Sequence, residues 1–243
     1  MERKHRHELK QDEFKDSLIK IEEYFTQHYK EILNYTIIVV ALVGLAVSLK
    51  YYTDRQEAAA NTELGEALTT FRAYVGQPTP GQNEPSGSTY ATAQEKYKKA
   101  LQQFDAILDK YKMPPRPKAV AIARYQAGVC QALLDNHAAA IQTLTQASMD
   151  GDADIAALAK FALAGELAKS GNVPEAAKLY QELADRPTLT VPKASALLAL
   201  ADAYRGTQPA KAREIYGRVE KEFAFNVAVA QAVKQQMSTL PPQ

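Results

Sequence analysis

The longest run of apolar residues lies near the N-terminus of the chain. Residues 35–49 carry no charge, and the apolar character extends over residues 32–52, with tyrosines at both ends. As a helix, this segment of about 21 residues measures about 31 Å, the thickness of one hydrocarbon core. Tyrosines at the two ends are typical of the membrane–water interface. The pattern therefore predicts one transmembrane helix at residues 32–52.

Two other interpretations of this segment remain open. A core helix of a soluble protein usually keeps a polar edge, which this run lacks. A cleaved signal peptide usually has a shorter and less acidic leader than the one before this run. Residues 46–48 nevertheless show the small-x-small pattern of a cleavage site.

Basic residues on either side of the run predict its orientation. The C-terminal side carries only Lys50 and Arg55 nearby, and the N-terminal side carries Arg3, Lys4, Arg6, Lys10, Lys15, Lys20 and Lys30. Because positive charge stays inside, the N-terminus is expected in the cytoplasm and residues 53–243 outside it. The lone Cys130 agrees with an oxidising compartment.

The segment before the membrane run, residues 1–31, has its own pattern. After a tail predicted to fray at residues 1–11, apolar residues recur at steps of four and three: Phe14, Leu18, Ile21, Phe25, Tyr29 and Ile32. This spacing predicts an amphipathic helix in a cytoplasmic segment. The helix either lies on the membrane surface or docks a cytoplasmic partner. The polar face of this helix carries acids as well as lysines, so its charge does not decide between the membrane surface and a protein partner.

The remainder of the chain is rich in alanine and repeats every 36 residues. In each repeat a small residue is followed four residues later by a large one and, after three more, by another apolar residue. These triplets are Ala140, Leu144 and Ala147; Ala176, Tyr180 and Leu183; and Ala212, Tyr216 and Val219. A fourth triplet, Ala100, Phe104 and Ile107, lies upstream. This pattern is typical of the second helix of a helical hairpin, where the small residue lets two helices approach.

A first helix is predicted before each second helix. The pairs that mark the first helices are Leu64 and Gly65, Ala127 and Gly128, Leu163 and Ala164, and Leu200 and Ala201. The first of these helices is predicted at residues 54–75, followed by a loop at 76–89. A final helix at 226–237 would be the polar-faced cap that such arrays need. The fold class is therefore all-α, with an N-terminal transmembrane helix, about four hairpins and a C-terminal capping helix.

Composition argues against most chemistry. Lys and Arg number 29 against 28 for Asp and Glu, so no chain-wide field attracts nucleic acid. The single cysteine excludes an internal disulfide framework and a cysteine-built zinc site. Residues 150–154 lack the glycine and glutamate positions of a calcium loop and read as helix-capping acids. Cys130 is expected to be buried and His137 solvated. No catalytic, cofactor or metal site, small-molecule substrate or enzymatic activity is predicted.

The spacing of small and large residues resembles that of tetratricopeptide repeats, over about residues 54–238. The resemblance implies a right-handed superhelix whose first helices line a concave groove. The residues it places in the groove are Tyr125, Val129, Leu158, Phe161, Leu198, Asp202 and Arg205. This mostly apolar set suits apolar peptide segments better than a basic carboxylate clamp. Alternatively, individual members pack against the next hairpin or the terminal helix.

The whole layout, with a short cytoplasmic segment, one anchor and degenerate repeats, resembles the bacterial YfgM-like ancillary subunit of the SecYEG translocon. That resemblance implies a single-pass inner-membrane adaptor that helps hand translocated polypeptides to periplasmic chaperones. Its partners would be translocon subunits, periplasmic chaperones or folding factors, and unfolded clients, besides the lipid bilayer. Two other functions stay open. One is a scaffold for an envelope assembly or cell-division complex, and the other is a signalling subunit that recruits a regulator through residues 1–31.

Overall fold

A computed structural model describes the backbone of residues 2–76 and 89–240, and the side chains of this part except those of residues 2–23 and of Phe25. The chain divides into two compact units, Met1–Arg55 and Gln56–Gln243. The described part is mainly helical, which confirms the predicted fold class. Its helices are α1 (Glu2–Arg72), α2 (Ala93–Lys110), α3 (Ala119–Leu133), α4 (His137–Ala147), α5 (Ala153–Lys169), α6 (Val173–Asp185), α7 (Lys193–Tyr204), α8 (Pro209–Glu222) and α9 (Val227–Ser238).

Helix α1 is longer than the sequence predicts. The prediction of a frayed tail is wrong, because the helix begins at Glu2, and it continues without a break to Arg72. The reason lies in the sequence, which has no proline before Pro78. Within α1 the hydroxyls of Thr36 and Thr69 donate to the carbonyls of Ile32 and Gly65, four residues earlier, and thereby find a partner inside the helix.

The apolar part of α1 is not a core helix. Within Thr26–Arg72 the helix is long and apolar enough to cross a membrane, by length and composition, and none of that apolar window is buried. Every valine, leucine and isoleucine between Ile37 and Leu49 has more than half of its surface exposed. The side chains of Phe14, Leu18, Ile21 and Phe25 on the predicted amphipathic face lie outside the described residues, whereas Tyr29 is exposed and Ile32 half-buried.

The link between α1 and α2 differs from the predicted helix and loop, although the fold class remains all-α. The helix predicted to reach residue 75 ends at Arg72, and two short strands follow, β1 (Tyr74–Val75) and β2 (Thr89–Tyr90), which pair in parallel. Aromatic and β-branched residues at these positions favour extended backbone over helix. Residues 77–88, most of the predicted loop, lie outside the described part.

The helical hairpins are confirmed by burial. The triplets predicted to mark second helices fall on α2, α4, α6 and α8, and each of their residues is at most 5% exposed. First helices are the Gln56–Arg72 part of α1 together with α3, α5 and α7. The predicted final helix at 226–237 is α9, which begins and ends one residue later than predicted. Small residues in these triplets have the expected effect, since Ala100, Ala140, Ala176 and Ala212 are completely buried between helices.

The buried side chains form two separate sets. The first extends from Ala60 to Cys130 and joins α1, α2 and α3. The second extends from Ala140 to Leu240 and joins α4 to α9. Between them, Gly128 of α3 lies against Leu144 of α4. A Cβ atom at Gly128 would stand 2.7 Å from Leu144 Cγ, so only glycine permits this approach without a shift.

Helix ends recur at equivalent positions. Asp135 after α3 and Gly171 after α5 are 36 residues apart and both have positive φ, 60° and 88°. In both, the following N–H donates to a carbonyl five residues back, as from Asn172 to Leu167 at 2.8 Å. This is the Schellman end of a helix, which normally favours glycine. Asp152 caps α5 through its carboxylate, as predicted for the acids of residues 150–154.

Candidate partner-binding groove

The first helices of the array are neighbours in space, because α3 contacts α5 and α5 contacts α7. Three of the predicted groove residues, Tyr125, Phe161 and Leu198, occupy equivalent positions on these helices. All three are half-buried and pack against the second buried set. We call these three residues the apolar stripe.

The aromatic members of the apolar stripe are held by packing. The ring of Phe161 meets that of Tyr180 edge-on, with centroids 5.3 Å apart, a favourable aromatic geometry. Burial raises the pKa of Tyr125, so its hydroxyl stays neutral at physiological pH. Val129 and Leu158 are also half-buried, on α3 and α5. This side of the array therefore offers apolar surface that is partly open to solvent.

Cations beside the apolar stripe are already paired. Arg124 precedes Tyr125, and its Nη1 lies 2.6 Å from Asp150 Oδ2, with both side chains less than a fifth exposed. Lys160 precedes Phe161 and bonds Glu182 at 2.5 Å. Because both charges are compensated within the protein, they do not form a basic clamp for a carboxylate.

Asp202 and Arg205 are engaged with other helices. The hydroxyl of Tyr216 on α8 donates to Asp202, and Arg205 lies 3.7 Å from the same carboxylate. Burial above all, and this hydrogen bond as well, raise the pKa of Tyr216. Arg205 also donates to Gln236 at 2.7 Å and to Thr239 at 2.6 Å.

These bonds of Arg205 connect α7 to the C-terminal helix α9. Packing against the terminal helix was one of the two alternatives that the sequence left open for the predicted groove residues. Asp202 and Arg205 therefore hold neighbouring helices together, whereas the residues of the apolar stripe are partly open to solvent. Whether any of the seven residues contacts a partner stays a prediction.

Sequence reasoning missed one buried charge. Glu166 on α5 is 4% exposed. Its carboxylate lies 2.7 Å from His137 Nδ1 and accepts a hydrogen bond from Lys169 at 2.8 Å. His137 is exposed, as expected, with 46% of its side chain open to solvent, but its contact with Glu166 was not predicted. The signal was a glutamate inside an apolar helical run, between Leu163 and Leu167.

Opposing effects set the protonation of Glu166. Burial raises the pKa of its carboxyl group, but the hydrogen bonds with Lys169 and His137 outweigh burial and lower it below the ordinary value. The carboxylate is thus charged at neutral pH. It ties the start of α4 to the end of α5, a structural clip on the side of the array opposite the inter-repeat loops.

Metal or thiol chemistry finds little support in the described residues. No group of three or more histidine, cysteine, aspartate or glutamate side chains in this part is arranged to hold a metal ion. Cys130 is buried, as predicted, and burial raises the pKa of its thiol to about 12. The thiol is therefore uncharged and unreactive at neutral pH.

A linear array of antiparallel hairpins with a partly apolar face defines a class of repeat scaffolds for protein–protein interaction. The chain belongs to the tetratricopeptide repeat family, whose profile matches residues 88–154 and 161–227, more than half of its length. This family typically forms interaction scaffolds without catalytic activity. Comparison with curated proteins and with solved structures returned no match.

Proposed function

We propose that this protein is a membrane-anchored adaptor of the Sec translocon, which binds translocated polypeptides and helps hand them to periplasmic chaperones. The observation that carries the proposal is the apolar stripe, a half-buried apolar or aromatic residue at the same place on three consecutive first helices. Such a surface suits extended or helical apolar segments, which are what an unfolded polypeptide presents.

The anchor is the second part of the proposal. Residues 32–52 would cross the bacterial inner membrane once, with residues 1–31 in the cytoplasm and 53–243 in the periplasm. The exposure of the apolar side chains in α1 supports the membrane crossing, because in water such a surface would be strongly unfavourable, and the proposed orientation rests on the basic residues before it. Anchoring raises the local concentration of the array at the place where polypeptides emerge.

Site-specific crosslinking in the native host tests the adaptor function. A photoreactive amino acid at Leu198, within the apolar stripe, would capture partners, and the same residue at Gln142 is the matched control. Gln142 is exposed on the second helix α4, away from the first helices. We expect translocon subunits, periplasmic folding factors and many unfolded clients from position 198 and far fewer from position 142.

Other outcomes would reject the translocon assignment. A single stoichiometric partner from envelope assembly or cell division, captured at position 198, would favour the scaffold function. Loss of partner binding after deletion of residues 1–31 alone would favour a signalling subunit. Cleavage after residue 48, detected by mass spectrometry of the mature protein, would show that the apolar run is a signal peptide.

A further inference from the structure

A second apolar feature lies away from the groove. Each loop that leads from a second helix to the next helix presents one large apolar side chain to solvent. These residues are Met113, Met149, Leu189 and Phe225, with 73%, 75%, 94% and 104% of their surfaces exposed. In the rest of Gln56–Gln243 that the structure describes, the exposed large apolar residues are Val227, next to this row, and Tyr74 and Leu133, at about half exposure.

The four loops lie along one edge of the array, because hairpin helices alternate in direction. Polar bonds between neighbouring helices fix this arrangement. Each involves a residue at or near one of these loops, and the pairs are Lys118 N–H with Glu57 of α1, Arg124 of α3 with Asp150, the Thr190 hydroxyl with the Asp154 carbonyl of α5, and Lys193 of α7 with Glu222 of α8. We call the row of Met113, Met149, Leu189 and Phe225 the loop edge.

The loop edge is also where the chain enters the array. The backbone N–H of Lys118, in the same loop as Met113, donates to the carboxylate of Glu57 at 3.1 Å. Glu57 is the second residue of the unit Gln56–Gln243. The proposed membrane span, residues 32–52, ends five residues before Glu57 along the chain. The first loop of the row is therefore held beside the first turn of the unit Gln56–Gln243.

We propose that the loop edge is a membrane-contact surface, whose four apolar side chains enter the interfacial layer of the bilayer that residues 32–52 cross. The proposal rests on the anchor in the proposed function. Separate single side chains on convex loops do not form a pocket for a peptide, but they insert individually among lipid headgroups, where no shape complementarity is needed. Lys112, Arg116 and Lys118 lie in the same segment as Met113 and would add positive charge there, although Lys112 is paired with Asp109 at 3.1 Å.

Quenching of a fluorescent label by lipids measures this contact in the full-length protein. Leu189→Cys is labelled with an environment-sensitive fluorophore and reconstituted into vesicles of equal phosphatidylcholine and phosphatidylglycerol, with or without nitroxide-bearing lipid. Because Cys130 is buried with a raised thiol pKa, labelling is confined to the new cysteine. Leu133→Cys is the matched control, since Leu133 is an exposed leucine at the opposite edge.

In protein that floats with the vesicles, we expect nitroxide lipids to quench the label at position 189 by about half or more and that at 133 by less than about a tenth. Absence of quenching at 189 in floated protein overturns the membrane contact while leaving the anchor intact. Equal quenching at positions 189 and 133 also overturns it, because the loop edge would then contact the membrane no more than the opposite edge does. Crosslinking of position 189 to a second copy, without quenching, would assign the row to self-association and overturn the proposal. Failure to float overturns the anchor and the contact together.

Discussion

Replacing Gly128 by alanine tests how closely α3 and α4 approach. The new Cβ would lie 2.7 Å from Leu144 Cγ and 2.8 Å from Cδ2, against an ordinary carbon–carbon separation of about 3.5–4.0 Å. Leu144 is completely buried and cannot swing into solvent. The atom that is struck is the branching carbon of the side chain, so the whole side chain or the helix must move.

Two opposing effects determine the magnitude. Overpacking of a core costs about 1–3 kcal/mol, and a collision with a branching carbon falls in the upper part of that range. Exchange of glycine for alanine inside a helix contributes about 1 kcal/mol in the other direction. The free energy of unfolding should therefore fall by about 1–2 kcal/mol. For a unit of this size, that lowers the Tm by about 2–8 °C.

Thermal unfolding of the full chain in detergent, followed by circular dichroism, provides the measurement. Gly217→Ala is the control, because Gly217 lies inside α8 and its added Cβ would have nothing within 4 Å. That variant should raise the Tm. In a Leu144→Ala background the space is open, so Gly128→Ala should no longer destabilise. If Gly128→Ala raises the Tm as much as Gly217→Ala does, the reasoning about close approach is refuted.

Three further predictions concern single residues. Because Asp135 and Gly171 both have left-handed backbone, Asp135→Gly should raise the free energy of unfolding by about 0.5–1 kcal/mol and Gly171→Ala should lower it by about 1 kcal/mol. Thermal melting measures both changes, and an unchanged Tm in both variants would contradict this prediction. Glu166 has a lowered pKa, so the stability that it contributes is present above the ordinary carboxyl pKa and is lost as the pH falls through the pKa of the folded protein. In denaturant titrations, Glu166→Gln should be less stable at pH 7 and its free energy of unfolding should fall less steeply below about pH 5; an unchanged dependence on pH would contradict the role of Glu166 as a clip. Cys130 should resist maleimide in the folded protein and react fully in denaturant, and rapid labelling without denaturant would show that its site opens.

The second helices could be predicted because their signal is local. Ala176, Tyr180 and Leu183 lie within two turns of one helix, so a single periodic pattern contains the whole burial face. The same holds for the C-terminal helix and for the cap at Asp152, whose carboxylate accepts from N–H groups of its own turn. Features that involve only one or two turns of a helix can be predicted from the local sequence, because they do not depend on how the rest of the chain packs.

Longer-range features could not be read in the same way. The contact of His137 with Glu166 joins residues 29 apart, and that of Arg205 with Gln236 joins residues 31 apart. Both depend on the angle between hairpins, which side-chain spacing within one helix does not specify. The continuity of α1 was missed for another reason, since composition changes from polar to apolar and back while the backbone has no reason to break.

The two buried sets described above do not follow the repeat period. One ends with Cys130 on α3 and the other begins with Ala140 on α4, although these helices are the two arms of a single hairpin. Lengthening or shortening the array by one 36-residue period that starts at α3 would therefore cut into both interiors at once. A cut in the turn before His137 would not separate the two sets cleanly either, because Gly128 of α3 lies against Leu144 of α4 and Tyr125 of α3 packs against the second set.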